Sequence, residues 1–133
     1  PTLMIVAGMD PSSGTLDRVQ VVKGWLDATG RSHETVFDVV WSGARTPDAD
    51  GKLPPVGDTV DRTRGTFTRA IGAPDLQTVW RDPAFDPGSP AFYYVRVLEI
   101  PTPRHALLDA LALGLTEPTE GPSVLQERAY LLR

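Results

Sequence analysis

The residues that could do chemistry in this chain are few, and most stand in patterns that stop short of a known reaction. His33-Glu34 begins the zinc-protease pattern His-Glu-x-x-His, but the fifth position is Phe37 and the chain holds only two histidines. The second imidazole that would share a zinc ion is missing, and His33, beside a turn, reads as a surface residue. In 46–57, Asp48, Asp50 and Gly51 occupy the third, fifth and sixth positions of a calcium loop. Thr46 and Gly57 stand at its first and last positions, where carboxylates belong, so a plain Asp-Gly turn is the better reading. Ser123 follows Gly121 by two but is itself followed two on by Leu125, which is not a nucleophile elbow. Gly51-Lys52 lacks both the upstream glycine and the following Ser or Thr of a phosphate loop.

More informative are charges set where burial is expected. Lys23 stands two before Trp25, Arg96 and Glu99 lie inside an apolar run, Arg104 follows Pro101 and Pro103, and Glu127 precedes Arg128. Buried charge is tolerated only when paired. These residues therefore build either a structural ion-pair network or a functional cleft. Lys23, Arg96, Glu99, Arg104 and Glu127 are the candidate binding residues, and none reads as catalytic by itself. Arg104 is foremost, because a guanidinium on a stiff turn grips an anionic oxygen bidentately. Arg62, Arg64 and Arg69 fall within one expected strand but are flanked by Asp58 and Asp61. That pattern fits a solvated edge strand better than a polyanion groove.

The elements that must position these residues are strands. Over 91–104 the order AFYYVRVLEIPTPR sets Phe92, Tyr94, Arg96, Leu98 and Ile100 against Tyr93, Val95, Val97 and Glu99. Large apolar groups on both faces predict a central strand packed on both sides, stopped by the two prolines. Residues 2–9 read as a strand, and 16–27 alternates with Val19, Val21, Lys23 and Trp25 on one face. A hairpin-length loop over 28–32 leads to a strand over 35–41, with Phe37, Val39 and Trp41 opposite Val36, Asp38 and Val40. The Gly, Asp and Pro content of 42–56 predicts a long solvated loop, and 58–71 an edge strand with its arginines facing water. Residues 75–80 read as a short strand or one helical turn, and 82–90 as a turn-rich run. A short helix is expected over 105–113, its face made by Leu107, Leu108, Leu111 and Leu115 and its end capped by Gly114. A last strand, or the exit of one, spans 124–132. Short strands with hairpins and no strand-helix repeat predict a mainly β fold, an antiparallel β-sandwich of immunoglobulin or fibronectin type. The Tyr93-Tyr94 region resembles the F strand of immunoglobulin-like folds, a likeness of fold alone.

Composition bounds the function. At 133 residues this is one domain's worth of chain. Zero cysteine removes disulfides, thiolate zinc sites and cysteine nucleophiles, and leaves the redox compartment open. A net charge of −4 speaks against nucleic acid and anionic membrane as partners. No apolar run reaches the roughly 18 residues of a spanning helix, and no signal-peptide pattern is present. Opening at Pro1, the chain reads as a piece of something longer, so a signal can lie upstream and the compartment is unknown. Eleven arginines among 13 basic residues and no asparagine suggest a GC-rich bacterial genome.

The strings LDRVQVVKGW, VVWSG, DGKLPPVGDTVD, IGAPDLQTVWRDPAFDP, AFYYVRVLEIPTPR and QERAY, in this order, resemble the C-terminal part of the bacterial family called Domain of Unknown Function 3604. Two places depart from its pattern: His105 stands where a tryptophan is usual, and Leu131-Leu132-Arg133 replaces a Ser-Pro-Ile-Trp-Tyr tail. The resemblance implies a longer parent, whose upstream portion is similar to metal-dependent phosphoesterase-like hydrolases acting on phosphate or sulfate esters. On that reading this chain is a non-catalytic accessory domain packed on the hydrolase portion, free to form a homodimer when isolated. It would carry no cofactor of its own, and the divalent metal's ligands would lie upstream. Arg104 or Lys23 would offer charge to the ester oxyanion. The alternative is a ligand- or partner-binding sandwich for glycan or protein, which requires an exposed platform of Trp25, Trp41 or Trp80.

Overall fold

The structure, a computed structural model, describes residues 1–132. In chain order the elements are β1 (Thr2–Gly8), β2 (Leu16–Leu26), β3 (Ser32–Trp41), β4 (Asp75–Arg81), β5 (Ala91–Glu99), β6 (Thr102–Pro103), α1 (His105–Ala112), β7 (Val124–Leu125) and β8 (Arg128–Leu132). The fold is mainly β with one short helix. A four-stranded antiparallel sheet of order β3-β2-β5-β8 is faced by a two-stranded antiparallel ribbon of β1 and β4, and β6 pairs with β7. Ile5 and Ala7 of β1 and Leu76 of β4 pack on Leu16, Val19 and Val21 of β2, which makes the core between sheet and ribbon. Among the described residues, no helix is long and apolar enough to cross a membrane.

Residues 91–99 form an interior strand, as their alternation predicts, with β2 on one side and β8 on the other. The most buried strand, however, is β2. β5 meets the core between sheet and ribbon through Tyr93, Val95 and Val97; on its other face Leu98 is buried, while Phe92 is largely exposed. There the Phe92 ring lies over Gly24, its partner across the strands. A Cβ added at Gly24 would meet that ring at 2.3 Å.

Two irregularities correct the simple alternation of β2 and β3. Between Leu16 and Arg18 the β2–β5 register shifts, Leu16 pairing with Glu99 and Arg18 with Leu98. Asp17 is thus an extra residue, a β-bulge. The bulge lets Leu16 join Val19 and Val21 in one core although their numbers differ in parity. A second shift, between Val19 and Gln20, leaves Val39 as the extra residue of β3, since Val19 pairs with Val40 and Gln20 with Asp38. Val39 and Val40 therefore both pack on the core. Trp41, expected beside Phe37, is instead opposite Arg18 on the outer face.

The edge strand expected over 58–71 does not form. That segment carries a single bridge, between Asp61 and Thr66, because its polar side chains bond to their own backbone. Asp61 Oδ1 accepts from the Thr63 amide at 2.9 Å and the Thr63 hydroxyl at 2.7 Å, local bonds that compete with a ladder. Arg69 is exposed but donates back to the Pro11 and Ser13 carbonyls at 2.6 and 2.7 Å. At its end the segment turns through Gly72, at φ +82°, where the Thr15 hydroxyl bonds to the Ile71 carbonyl at 2.6 Å.

In α1 the buried residues are Leu107 and Ala110, whereas Leu108 and Leu115, expected on the inner stripe, are exposed. Gly114, at φ +76°, follows the helix end and its amide bonds to the Leu111 carbonyl at 3.1 Å, as a C-terminal glycine does. The final segment is two strands, β7 and β8.

Candidate functional site

Two ionic centres lie on opposite faces of the four-stranded sheet. The first is on the core face, past the end of the ribbon. Lys23 Nζ donates to Asp82 Oδ2 at 2.6 Å and to the Ala84 carbonyl at 2.7 Å. Tyr93, opposite Lys23 on β5, donates its hydroxyl to the same Asp82 oxygen at 2.7 Å. The Ala84 amide donates to Asp82 Oδ1 at 2.9 Å. Lys23 Nζ also stands 5.5 Å from the Trp25 ring centre and 5.9 Å from that of Tyr93, within cation–π range. Burial alone would raise the Asp82 carboxyl, but hydrogen bonds from Lys23, Tyr93 and the Ala84 amide outweigh it and hold it below the usual range. Burial, reinforced by the Asp82 charge, pushes the Tyr93 phenol up to about 12. This centre is closed: each charge is met by protein, and it pins the segment after β4 to the sheet.

The second centre is on the outer face, where the bulge turns Asp17 inward. Asp17 is buried, with 1% of its surface exposed. Its Oδ1 takes a bond from Arg45 Nη2 at 2.7 Å, and its Oδ2 one from Gln126 Nε2 at 2.7 Å. Arg45 also donates to the carbonyls of Ser42 and Pro54 at 3.1 and 2.9 Å, fastening the loop after β3. From there a polar chain crosses the outer face: Arg96 Nε donates to Gln20 Oε1 at 2.7 Å, and Gln20 Nε2 to Asp38 Oδ1 at 2.7 Å. Arg18 Nε stands 3.5 Å from Asp38 and 3.7 Å from Asp17. These are ion-pair distances without a hydrogen bond, and this buried nitrogen has no bonding partner.

Beside Asp17 and Arg18 opens a cleft of about 510 Å³, lined by Asp48, Lys52, Leu53, Pro54, Pro55, Val56, Gly57, Pro101 and Gln126 as well. The Asp48-Gly51 turn forms its lip: Asp48 Oδ1 accepts the amides of Asp50 and Lys52 at 3.0 and 2.8 Å, and Gly51 has φ +76°. That is the Asp-Gly turn of the plainer sequence reading.

The five candidate residues do not converge. Lys23 belongs to the closed core-face centre and Arg96 to the outer chain. Glu99 accepts a bond from the Ser13 hydroxyl, and its amide bonds to the Glu127 carbonyl at 3.1 Å. The Glu127 side chain is exposed, against the expected burial, because it follows β7 outside the sheet. Arg104 is exposed too, for a similar reason: it precedes α1 at the surface, where its carbonyl accepts the Leu107 amide at 3.0 Å and its side chain lies beside Gly121. Asp17, Arg18, Arg45 and Asp82 went unmarked in the sequence. The one signal for Asp17 is an acidic residue between Leu16 and Val19 at the head of an apolar strand.

Of the three tryptophans, Trp80 packs between Phe37 and Tyr93, with ring centres 5.2 and 6.4 Å away, and Trp41 bonds to the Arg45 carbonyl at 2.9 Å. Trp25 stacks on His33 at 5.4 Å. His33 in turn bonds to Asp27 at 2.8 Å, a contact that leads those holding the Asp27 carboxyl far below the usual range. Among the described residues, no group of three or more His, Asp or Glu side chains is placed to hold a metal ion.

A family model described as a protein of unknown function (DUF3604) matches residues 1–131. No curated protein and no solved structure matches the chain. The chain belongs to the DUF3604 family.

Proposed function

From this membership, we propose that the chain is a non-catalytic accessory β domain of a larger metal-dependent phosphate or sulfate ester hydrolase, packed on the hydrolase portion of the same protein. The observation that carries this reading is the closure of the core-face centre. Lys23, Asp82 and Tyr93 satisfy one another and a backbone amide and carbonyl, an arrangement that fixes a scaffold and leaves no group poised to exchange protons with a substrate. An apolar face supports it further: Met4 and Val79, paired across the ribbon, and Val6 beside them are 80%, 68% and 71% exposed. A surface of this kind suits contact with another part of the protein. Arg104, exposed before α1, is the candidate cation left free to reach beyond the domain.

The test is to assay the chain against p-nitrophenyl phosphate and p-nitrophenyl sulfate with manganese, zinc or calcium, and to follow its thermal melting in chelator and then in each metal. The expected result is no turnover above buffer and an unmoved midpoint. A midpoint raised by a metal would show a site that binds only the folded state. That result, or metal-dependent turnover, would replace the accessory reading by a metalloenzyme one.

A further inference from the structure

We propose that the cleft at the head of β2 binds a small organic anion, its oxyanion head received by Arg18 and its apolar body lying on Pro54, Pro55 and Pro101. The inference is independent of the hydrolase reading. The cleft's volume, about 510 Å³, is that of a small-molecule site, and apolar walls with a few placed polar groups are the usual composition of one.

Arg18 is what makes the site specific. Its two carboxylate neighbours stand at 3.5 and 3.7 Å from Nε, near enough to hold the charge in place and too far to bond. Its Nε is buried without a hydrogen-bond partner and cannot itself meet a ligand; the donors left for the cleft are the terminal Nη1 and Nη2, which among the described residues form no side-chain hydrogen bond to protein. A guanidinium with free donors presents a planar fork that matches a carboxylate or phosphate edge. Of the two acids beside Arg18, the one that lines the cleft is Asp17, and its charge is partly offset because it is buried with both oxygens bonded, to Arg45 and Gln126. Asp48, at the lip, has one oxygen committed to two amides and faces the site together with Lys52. Among the charged lining residues, Arg18 and Lys52 offset Asp17 and Asp48, so the cleft carries no net negative charge on a chain whose total is negative. The walls are pre-formed as well, because Arg45 holds both Asp17 and the Pro54 carbonyl.

The experiment is an amide-resolved NMR titration of the chain with four probes: benzoate, phenyl phosphate, inorganic phosphate and benzyl alcohol. Saturable shifts with benzoate or phenyl phosphate, confined to the amides of Arg18, Leu53, Val56, Gly57 and Gln126, are expected. The stronger of these two probes decides between a carboxylate and a phosphate head. Arg18→Gln is expected to weaken that binding about tenfold or more. Arg18→Lys, which keeps the charge but not the fork, should weaken it less, and it serves as the test should Arg18→Gln fail to fold. Equal binding of benzyl alcohol would overturn the role of Arg18. Equal binding of inorganic phosphate would overturn the role of the apolar walls. Shifts that map elsewhere, or none, would overturn the site.

Discussion

A single carboxylate, Asp82, shows how this protein uses buried charge. Its partners are Lys23 Nζ at 2.6 Å, the Tyr93 hydroxyl at 2.7 Å and the Ala84 amide at 2.9 Å, so its removal from water is compensated within the fold. Removing one member of such a set leaves the others buried and unpaired, at a cost of about 3–5 kcal/mol. Lys23→Met is expected to lower stability in urea denaturation by about that much. Lys23→Met combined with Asp82→Leu should recover part of the loss, because the stranded charge goes too. The Tyr93 phenol adds a dependence on alkali. Its folded value, about 12, lies above the ordinary tyrosine value of 10.0, so between them the folded state holds a proton that the unfolded state has released. The associated stability is complete below pH 10 and is lost as the pH rises toward 12. Denaturant midpoints for wild type and Tyr93→Phe, compared from pH 9 to 11.5, should show the steeper alkaline fall in wild type. Parallel curves would remove Tyr93 from this account.

Turns and bulges, rather than strands, carry the placement of the outer-face centre. Gly72 illustrates the constraint: its φ is +82°, and an added Cβ would stand 2.3 Å from Thr15 Oγ1 and 2.8 Å from Ile100 Cγ2. Both the backbone conformation and the space exclude a side chain. Gly72→Ala is therefore expected to cost at least about 2 kcal/mol in thermal or urea unfolding, and a loss below half of that would mean the turn can relax. Bulges also set what the sequence could disclose. The alternation of Val19, Val21, Lys23 and Trp25, the β2–β3 hairpin and the interior place of 91–99 were legible, since period two needs no knowledge of partners. The face of Trp41 and the burial of Asp17 were not, because an extra residue in one strand shows only against the register of its neighbour. The alternation over 58–71 misled for another reason: Asp58, Asp61 and Thr63 are as suited to closing local turns as to lining a strand. The pairing of Lys23 with Asp82, 59 positions away, carries no local mark at all. Arg18, which lines the cleft and keeps a buried, unpartnered Nε, reads in the sequence like any solvated strand residue, because its distinction lies in what fails to reach it.

At the scale of the whole molecule, the two layers are joined by chain that is far apart in sequence. The ribbon pairs residues 2–8 with 75–81, and the four-stranded sheet is completed only by residues 128–132. The cleft likewise draws on both halves of the chain, since Gln126 reaches Asp17 across 109 positions. The proposed ligand cleft and the proposed docking face on the ribbon lie on opposite sides of the sandwich, so a variant of one is expected to leave the other intact. The ribbon's register has a further consequence during synthesis. When Gly8 is made, its partner Asp75 is 67 residues from being made, a wait of about 3–13 s at ~5–20 residues per second. The β2–β3 hairpin can close once Trp41 has been made, whereas Leu3, Met4, Ile5 and Val6 remain a bare apolar strand until β4 follows. Within this domain, exposure to chaperones and to mispairing is thus prolonged for β1, and it ends only when β4 emerges.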